Sequence, residues 1–452
     1  MLSVYSNSII PNYGIASVRS NADSQKASVK NTSYASAPSF KGSAPEVSFR
    51  TSLSTKEEKA EYKYLTKRLD KVGRKQLETL LKTGSLLKND SNDKSTTLEN
   101  LYKLATTPRA EGMDADILLK HIIATIANPH IITQRFGDVP DEYKPGVIDK
   151  LTNGSKNLID RKMADYEITD LFSGCCVAAS EEFNLASRNP AEFARFAEGL
   201  SSPNKSVQKE IKLDSLSDKT LDAIWLLNAF EIPYEAKDFK TAKITLAPDE
   251  NAYIREQIQE RHQDNLERSP IDVLMQSTFM NIGSQQSYNT LKDRRGGKFS
   301  NDDRGLIDFE KTFLESVVED KNITSVTYQK VDDNQNVVGY EADYNTVKDQ
   351  LLETLNSGKN IIIGYTMTDE NKHIVGGHEI TIIDAQTDKN GELYFICNDT
   401  DDDNPEPIIC PAAKLIPTIH HAGIPTEIAE KNMQQTENWV LGVREFNEQK
   451  NS

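Results

Sequence analysis

Two distant segments of the chain carry the residues best suited to chemistry. The first holds adjacent thiols, Cys175 and Cys176, at the head of a predicted helix, and the second holds His378 at the start of a predicted strand. The strand predicted after it runs directly into Asn398 and Asp399. A thiol nucleophile, an imidazole and a side chain that orients the imidazole suffice for acyl-transfer catalysis.

The position of Cys176 favours it as the nucleophile. A thiol attacks as its thiolate, and the partial positive charge at a helix N-terminus favours the thiolate. Cys176 is predicted in the first helical turn, with Ser173 or Gly174 near the cap. The alternative interpretation is that Cys175 and Cys176 are both small apolar residues at a tight packing contact.

His378 follows Gly376 and Gly377, which let the chain turn into a strand and present its first side chain at the edge of a sheet. Such a position suits a base that faces a partner lobe. Asp399 then ends the adjoining strand where its side chain can accept the imidazole N–H, and a register shift of one residue would select Asn398 instead. The predicted catalytic set is therefore Cys176, His378 and Asp399.

The periodicity of apolar residues changes along the chain and predicts an α+β protein. Helical spacing and a capping box at Thr55 favour helices in the N-terminal third, and a helix is predicted from about Asp114 to Asn128. Alternating residues predict strands after Lys321, the last at 439–444. The predicted organisation is a disordered tail at 1–53, a helical accessory or prosegment-like region at 54–160, a helical lobe with the nucleophile at 161–320, an antiparallel β lobe at 321–446 and a tail at 447–452.

Bulk composition restricts the possible partners. The chain has 452 residues and a formal net charge of -16, which makes nucleic acid an unsuitable partner. The sequence contains no run of 18 apolar residues, so no membrane span is predicted. The first residues lack a basic and an apolar segment, so we expect no conventional secretory signal and either a cytoplasmic location or export by another route. The basic run at 292–295 is interpreted as a solvated loop, and the oligomeric state is left open.

Neither metal nor cofactor is predicted. Four cysteines are too few for disulfides to stabilise a chain of this length, so reduced thiols are expected. A disulfide between Cys397 and Cys410 has no positive support in the sequence. His420 and His421 lack a further ligand at zinc spacing, and Cys-x-x-Cys is absent. The acidic residues that follow Asn398 do not complete a calcium loop and are interpreted as a solvated turn.

These segments resemble those of papain-like cysteine peptidases. Residues 174–180, Gly-Cys-Cys-Val-Ala-Ala-Ser, are similar to that family's Gly-Ser-Cys-Trp-Ala-Phe-Ser, and residues 376–385 and 391–399 are similar to its histidine strand and its Asn or Asp strand. The order Cys, His, Asx also agrees. The family's oxyanion glutamine corresponds to Thr169 or Asp170, and 202 residues separate Cys176 from His378 (378 − 176).

The resemblance implies a two-lobe fold, with a helical N-terminal lobe, a C-terminal antiparallel β-sheet or barrel lobe and an extra N-terminal helical region. It also implies a thiol protease, a hydrolase that carries out proteolysis of a protein or peptide substrate. Two alternatives use the same residues. The triad could serve an acyltransferase or deamidase that acts on a protein partner, or the chain could be a catalytically silent papain-like binding module.

Overall fold

A computed structural model describes residues 50–135, 139–168, 173–262, 267–297, 304–401 and 406–431. Four predictions lie wholly or partly outside the described residues: residues 1–49 of the tail predicted at 1–53, the tail at 447–452, the strand at 439–444 and the family's oxyanion position at 169–170. The described part is an α+β structure with antiparallel sheets, as predicted.

Helices dominate the chain as far as residue 319. The capping box at Thr55 opens the first helix, and Asp114 caps a helix that ends before Asn128, so both sequence signals are confirmed. The first six helices are α1 (Lys56–Arg68), α2 (Lys71–Thr83), α3 (Thr97–Thr106), α4 (Ala115–Ala127), α5 (Lys144–Leu151) and α6 (Leu158–Ile168).

The middle of the chain contains a small sheet that the sequence analysis missed. Its signal was present, since residues 207–212 and 241–246 alternate between buried and less buried positions, as a half-buried strand does. The segment consists of α7 (Cys176–Arg188), α8 (Pro190–Leu200), β1 (Val207–Lys212), α9 (Thr220–Ala229), β2 (Tyr234–Ala236), β3 (Thr241–Leu246), α10 (Asn251–Arg261), α11 (Pro270–Gly283) and α12 (Asp308–Glu319). The three strands pair antiparallel in the order β1-β3-β2. The lobe at 161–320 is therefore not purely helical.

The C-terminal part is built on a six-stranded antiparallel sheet with the order β10-β9-β8-β7-β11-β4. Its elements are β4 (Ile323–Thr327), β5 (Gln329–Val331), β6 (Val337–Tyr340), α13 (Tyr344–Asn356), β7 (Ile361–Thr368), β8 (Ile374–Thr387), β9 (Leu393–Asn398), β10 (Ile408–Pro411), α14 (Ala412–Leu415), β11 (Ile419–Pro425) and α15 (Thr426–Lys431). Within the described residues β4 and β10 are edge strands, so the sheet is open and does not close into a barrel.

Two apolar cores lie on either side of this sheet. One runs continuously from Leu65 in α1 to Val318 in α12, so the regions predicted at 54–160 and 161–320 share a single core. The other lies between the sheet and the helices α13 to α15, and it includes Leu351, Ile363 and Ile380. Helices α7 and α12 therefore pack between the first core and the sheet.

Buried charges connect α12 to the sheet. Lys359, which directly precedes β7, is bonded through Nζ to Glu315 at 2.8 Å and to Glu319 at 2.6 Å. The Lys359 side chain is 2% exposed and the Glu315 side chain is fully buried. A buried charge is tolerated only when it is paired, so the partners depend on each other. The basic run at 292–295 is also partly buried rather than solvated, since Arg295 pairs with Glu310 at 2.8 Å.

Replacement of Lys359 by Met should lower the free energy of unfolding by about 3–5 kcal/mol, because it leaves the buried carboxylates without their cation. The control is Lys321→Met, since Lys321 pairs with Glu319 at 3.4 Å from an exposed position, where loss of the pair should cost less than about 1 kcal/mol. Urea denaturation at neutral pH measures both values. Equal stability of the two variants would contradict the assigned role of Lys359.

Candidate active site

Cys176 is the first residue of α7, and Cys175 occupies the N-cap position before it. The Cys175 side chain makes no capping hydrogen bond, so the first-turn amides keep their partial positive charge beside the Cys176 thiol. A Cβ atom at Gly174 would lie 2.7 Å from the carbonyl carbon of Arg304, and the close approach of these two segments therefore requires glycine. Cys176 remains partly exposed at this tight turn.

The prediction that His378 starts a strand at a sheet edge is wrong, because β8 begins at Ile374, pairs on both sides and includes Gly376 and Gly377 in its ladder with β7. His378 lies opposite Tyr365 of β7, whose ring meets the imidazole edge-on with the centroids 5.9 Å apart. Its Nε2 donates a 2.7 Å hydrogen bond to Oδ1 of Asp399, the residue directly after β9. This bond occupies Nε2 and leaves Nδ1 as the free ring nitrogen. The structure places His378 and Asp399 in direct contact, and the Cys176 thiol lies near enough to the ring to contribute to its raised pKa.

The charge state of His378 follows from these partners. Burial by itself lowers the pKa of the imidazole, but the hydrogen bond to Asp399 and the interaction with Cys176 outweigh burial and raise that pKa well above its ordinary value. Burial also opposes ionisation of Asp399, yet the bond to His378 holds the pKa of the carboxyl below its ordinary value. Both directions favour an imidazolium paired with a carboxylate.

Cys175 occupies a very different environment from its neighbour. It is fully buried, and its Sγ lies 3.1 Å from the hydroxyl of Tyr288 and 3.2 Å from Oδ1 of Asp293. Burial, reinforced by the Asp293 carboxylate, raises the pKa of the Cys175 thiol to about 12. Cys175 is therefore a protonated residue of the core. The packing interpretation, which covered both cysteines, fits Cys175 but not the partly exposed Cys176.

The two candidates for the residue that orients His378 contact different side chains. Asn398 lies opposite Thr381 in the sheet, and its Oδ1 lies 2.7 Å from Nδ1 of His130. Asp399, one residue further, contacts His378 and also accepts a 2.9 Å bond from the backbone N–H of Asp401. The hydrogen-bond partner of His378 is therefore Asp399 and not Asn398.

A segment that follows α4 holds the loop that carries Asp399. The backbone N–H of Gln134 donates to the Thr400 carbonyl at 2.9 Å, and the Thr133 hydroxyl donates to the same oxygen at 3.0 Å. The Thr400 hydroxyl donates in turn to Oε1 of Gln134 at 3.1 Å. Sequence reasoning missed these residues because nothing in their local pattern links them to a loop more than 260 residues away.

Cys397 and Cys410 approach each other on β9 and β10 as free thiols. They are not directly opposite, because Cys397 pairs with Ile408 and Cys410 with Phe395. The contact between the two sulfurs raises the pKa of Cys397 and lowers that of Cys410 to about 7. Cys410 is partly exposed, so it is a second thiol, besides Cys176, that a reagent can reach.

A deep cavity in the molecule is separate from these residues. It is lined by Glu181, Asn184 and Arg188 from the later turns of α7 and by Glu319 and Lys359. Neither Cys176 nor His378 lines it. The cavity is therefore not the space in front of the candidate nucleophile.

Comparison with protein-family models, with curated proteins and with solved structures found no match. None of the helices in the described part of the chain is long and apolar enough to cross a membrane.

The two adjacent cysteines should differ sharply in reactivity with iodoacetamide at neutral pH. A Cys410→Ser background removes the second reactive thiol. In that background Cys175→Ser should leave the labelling rate within about twofold, whereas Cys176→Ser should abolish labelling at 175–176, because only ionised and accessible thiols react. Peptide mass spectrometry locates the adduct. Modification of Cys175 at a rate similar to that of Cys176 would contradict the assignment.

The bond between His378 and Asp399 should be visible in the titration of the ring. The ordinary midpoint is 6.5, and His378 should titrate above it. Asp399→Asn keeps an acceptor oxygen but removes the charge, so the midpoint should move to lower pH. NMR of the ring carbon measures it, with His378→Gln for assignment. His121 is the control, because burial lowers its pKa to about 4 and Asp399→Asn should not change it. An unshifted midpoint in Asp399→Asn would argue against the pairing.

Proposed function

We propose that the protein is a papain-like thiol hydrolase, most directly a cysteine peptidase that cleaves peptide bonds in a protein or peptide substrate. One observation carries the proposal. The imidazole of His378 is bonded to Asp399 on one side and interacts with the Cys176 thiol at a helix N-terminus on the other. A nucleophile near a base that an orienting group holds in position is what acyl transfer requires.

The charge state of the site supports a defined first step. A protonated imidazole beside a thiol stabilises the thiolate, as the nucleophile needs. The Cys176 sulfur attacks the acyl carbon and forms a tetrahedral intermediate. As the C–N bond breaks, the leaving nitrogen takes the proton from His378, and a thioester to Cys176 remains. Asp399 holds the ring in position and stabilises its positive charge throughout.

The second step returns the site to its starting state. Neutral His378 accepts a proton from water as that water attacks the thioester carbon. Collapse of the second tetrahedral intermediate breaks the C–S bond, releases the acid and restores the thiolate and the imidazolium. Both intermediates carry an oxyanion, and the amide N–H of Cys176 at the uncapped end of α7 is the donor that we assign to it.

The order of elements supports the papain-like assignment within the α+β fold. The nucleophile opens a helix that packs on an antiparallel sheet, and the sheet then supplies the base and the orienting residue on the neighbouring strands β8 and β9. The residues therefore occur in the order Cys, His, Asp along the chain. The sequence resemblance at 174–180, 376–385 and 391–399 agrees with the same assignment.

A peptide library digested with the protein tests the proposal. We expect new chain ends in mass spectra, lost by at least about 100-fold in Cys176→Ala and in His378→Ala, because removal of the nucleophile or the base disables both steps. Cys175→Ser is the matched control and should retain cleavage. Products that carry a one-dalton shift or an amine adduct instead of new ends would replace peptidase by deamidase or acyltransferase. A product pattern identical in the wild type and in Cys176→Ala would refute enzymatic function for this site.

A further inference from the structure

A second cluster of reactive side chains lies on the same sheet, away from Cys176. His420 and His421 are consecutive residues of β11, and both are buried. Consecutive strand residues normally point to opposite faces, yet Nδ1 of His420 lies 2.9 Å from Nδ1 of His421. The cause is a bulge, since the pairing of β11 with β7 shifts between Ile419 and His421. A bulge adds one residue and redirects its side chain, here the ring of His420.

The third member of the cluster comes from α12. Oδ1 of Asp308, the first residue of that helix, lies 3.4 Å from Nδ1 of His421. Donor atoms of Asp308, His420 and His421 all lie within 4.8 Å of one another. Ligands placed 2.0–2.1 Å from a tetrahedral zinc ion lie about 3.3 Å apart, which is close to the two separations measured here.

The outer contacts of His421 are those of a ligand histidine. Its other ring nitrogen, Nε2, lies 2.9 Å from Oε1 of Glu379, and Nζ of Lys311 lies 3.4 Å from Oε2 of the same carboxylate. Metal-bound histidines commonly donate their second N–H to a carboxylate, which fixes the ring and its tautomer. Glu379 is buried and stands next to His378 in β8.

The sheet leaves space for the His421 imidazole at Gly364. Thr327, His421, Gly364 and Glu379 lie side by side across β4, β11, β7 and β8. A Cβ atom at Gly364 would lie 2.3 Å from Cε1 of His421 and 2.6 Å from Oε1 of Glu379, so only glycine leaves space for both. Oγ1 of Thr327 is buried, with no hydrogen-bond partner within the described part of the chain.

We propose that Asp308, His420 and His421 bind one Zn²⁺ ion that joins α12 to the sheet. Two imidazole nitrogens and a carboxylate oxygen form a donor set that suits zinc. The sequence analysis discounted His420 and His421 because no third ligand stood at local spacing. The missing ligand lies 112 residues earlier in the chain (420 − 308), and only the fold brings it close. The site does not include Cys176 and is independent of the hydrolase proposal.

The test uses Zn²⁺ alone as the probe, in a Cys176→Ala, Cys410→Ser protein, so that the candidate nucleophile and the exposed thiol cannot bind the ion. Competition with a chromophoric chelator should show one Zn²⁺ per chain. Affinity should fall at least about tenfold in His420→Gln and in Asp308→Asn, whereas the exposed His373→Gln should match the parent. X-ray absorption at the zinc edge should show nitrogen and oxygen neighbours and no sulfur.

Four results would overturn the proposal: no stoichiometric binding, a sulfur shell, affinity unchanged in both ligand variants, or equal loss in His373→Gln. Circular dichroism establishes which variants fold. If His420→Gln does not fold, Asp308→Asn carries the comparison. If neither ligand variant folds, the zinc stoichiometry and the X-ray absorption spectrum of the parent protein decide whether the proposal stands. Absence of bound zinc would mean that the cluster is held by shared protons instead, among the rings of His420 and His421 and the carboxylates of Asp308 and Glu379.

Discussion

The packing of α7 and α12 against one face of the C-terminal sheet is the constraint on which the rest of the structure depends. It brings the thiol at the start of α7 to the imidazole in β8, although 202 residues separate them (378 − 176). Much of this interface is polar. Lys359 neutralises two glutamates of α12, and Glu379 bonds to Lys311. Because buried charges need specific partners, such an interface favours one relative placement of helix and sheet over many of similar apolar area.

Local signals were sufficient for most elements of the fold. The capping box at Thr55, the Asp114 cap and the alternation after Lys321 each depend on residues a few positions apart, and the corresponding helices and strands are present. The sheet made by β1 to β3 was missed although its alternation was readable, because its strands lie between long helices. The open form of the main sheet was not predictable, since closure depends on strands that meet only in three dimensions.

The candidate site was predictable where the chemistry is local and unpredictable where it depends on tertiary packing. Cys176 and Asp399 stand at element ends, which the sequence marks, whereas His378 lies inside β8 and was recognised by its residue type and its neighbours. The difference between Cys175 and Cys176 comes from Tyr288 and Asp293, which surround only the first thiol. Asp308 likewise joins His420 only through the fold. Residue spacing in the sequence does not predict such contacts, because they depend on how the helices pack against the sheet.

The bonds from Thr133 and Gln134 to Thr400 have a consequence for how the polypeptide can mature. Residues ahead of α7 hold Thr400, the residue next to Asp399, and their leucines belong to the same core as α7. A removable inhibitory leader would leave the catalytic machinery intact after its release. Excision of this stretch would break these bonds and expose the core that it shares with α7, so the described residues ahead of α7 pack as part of the folded unit.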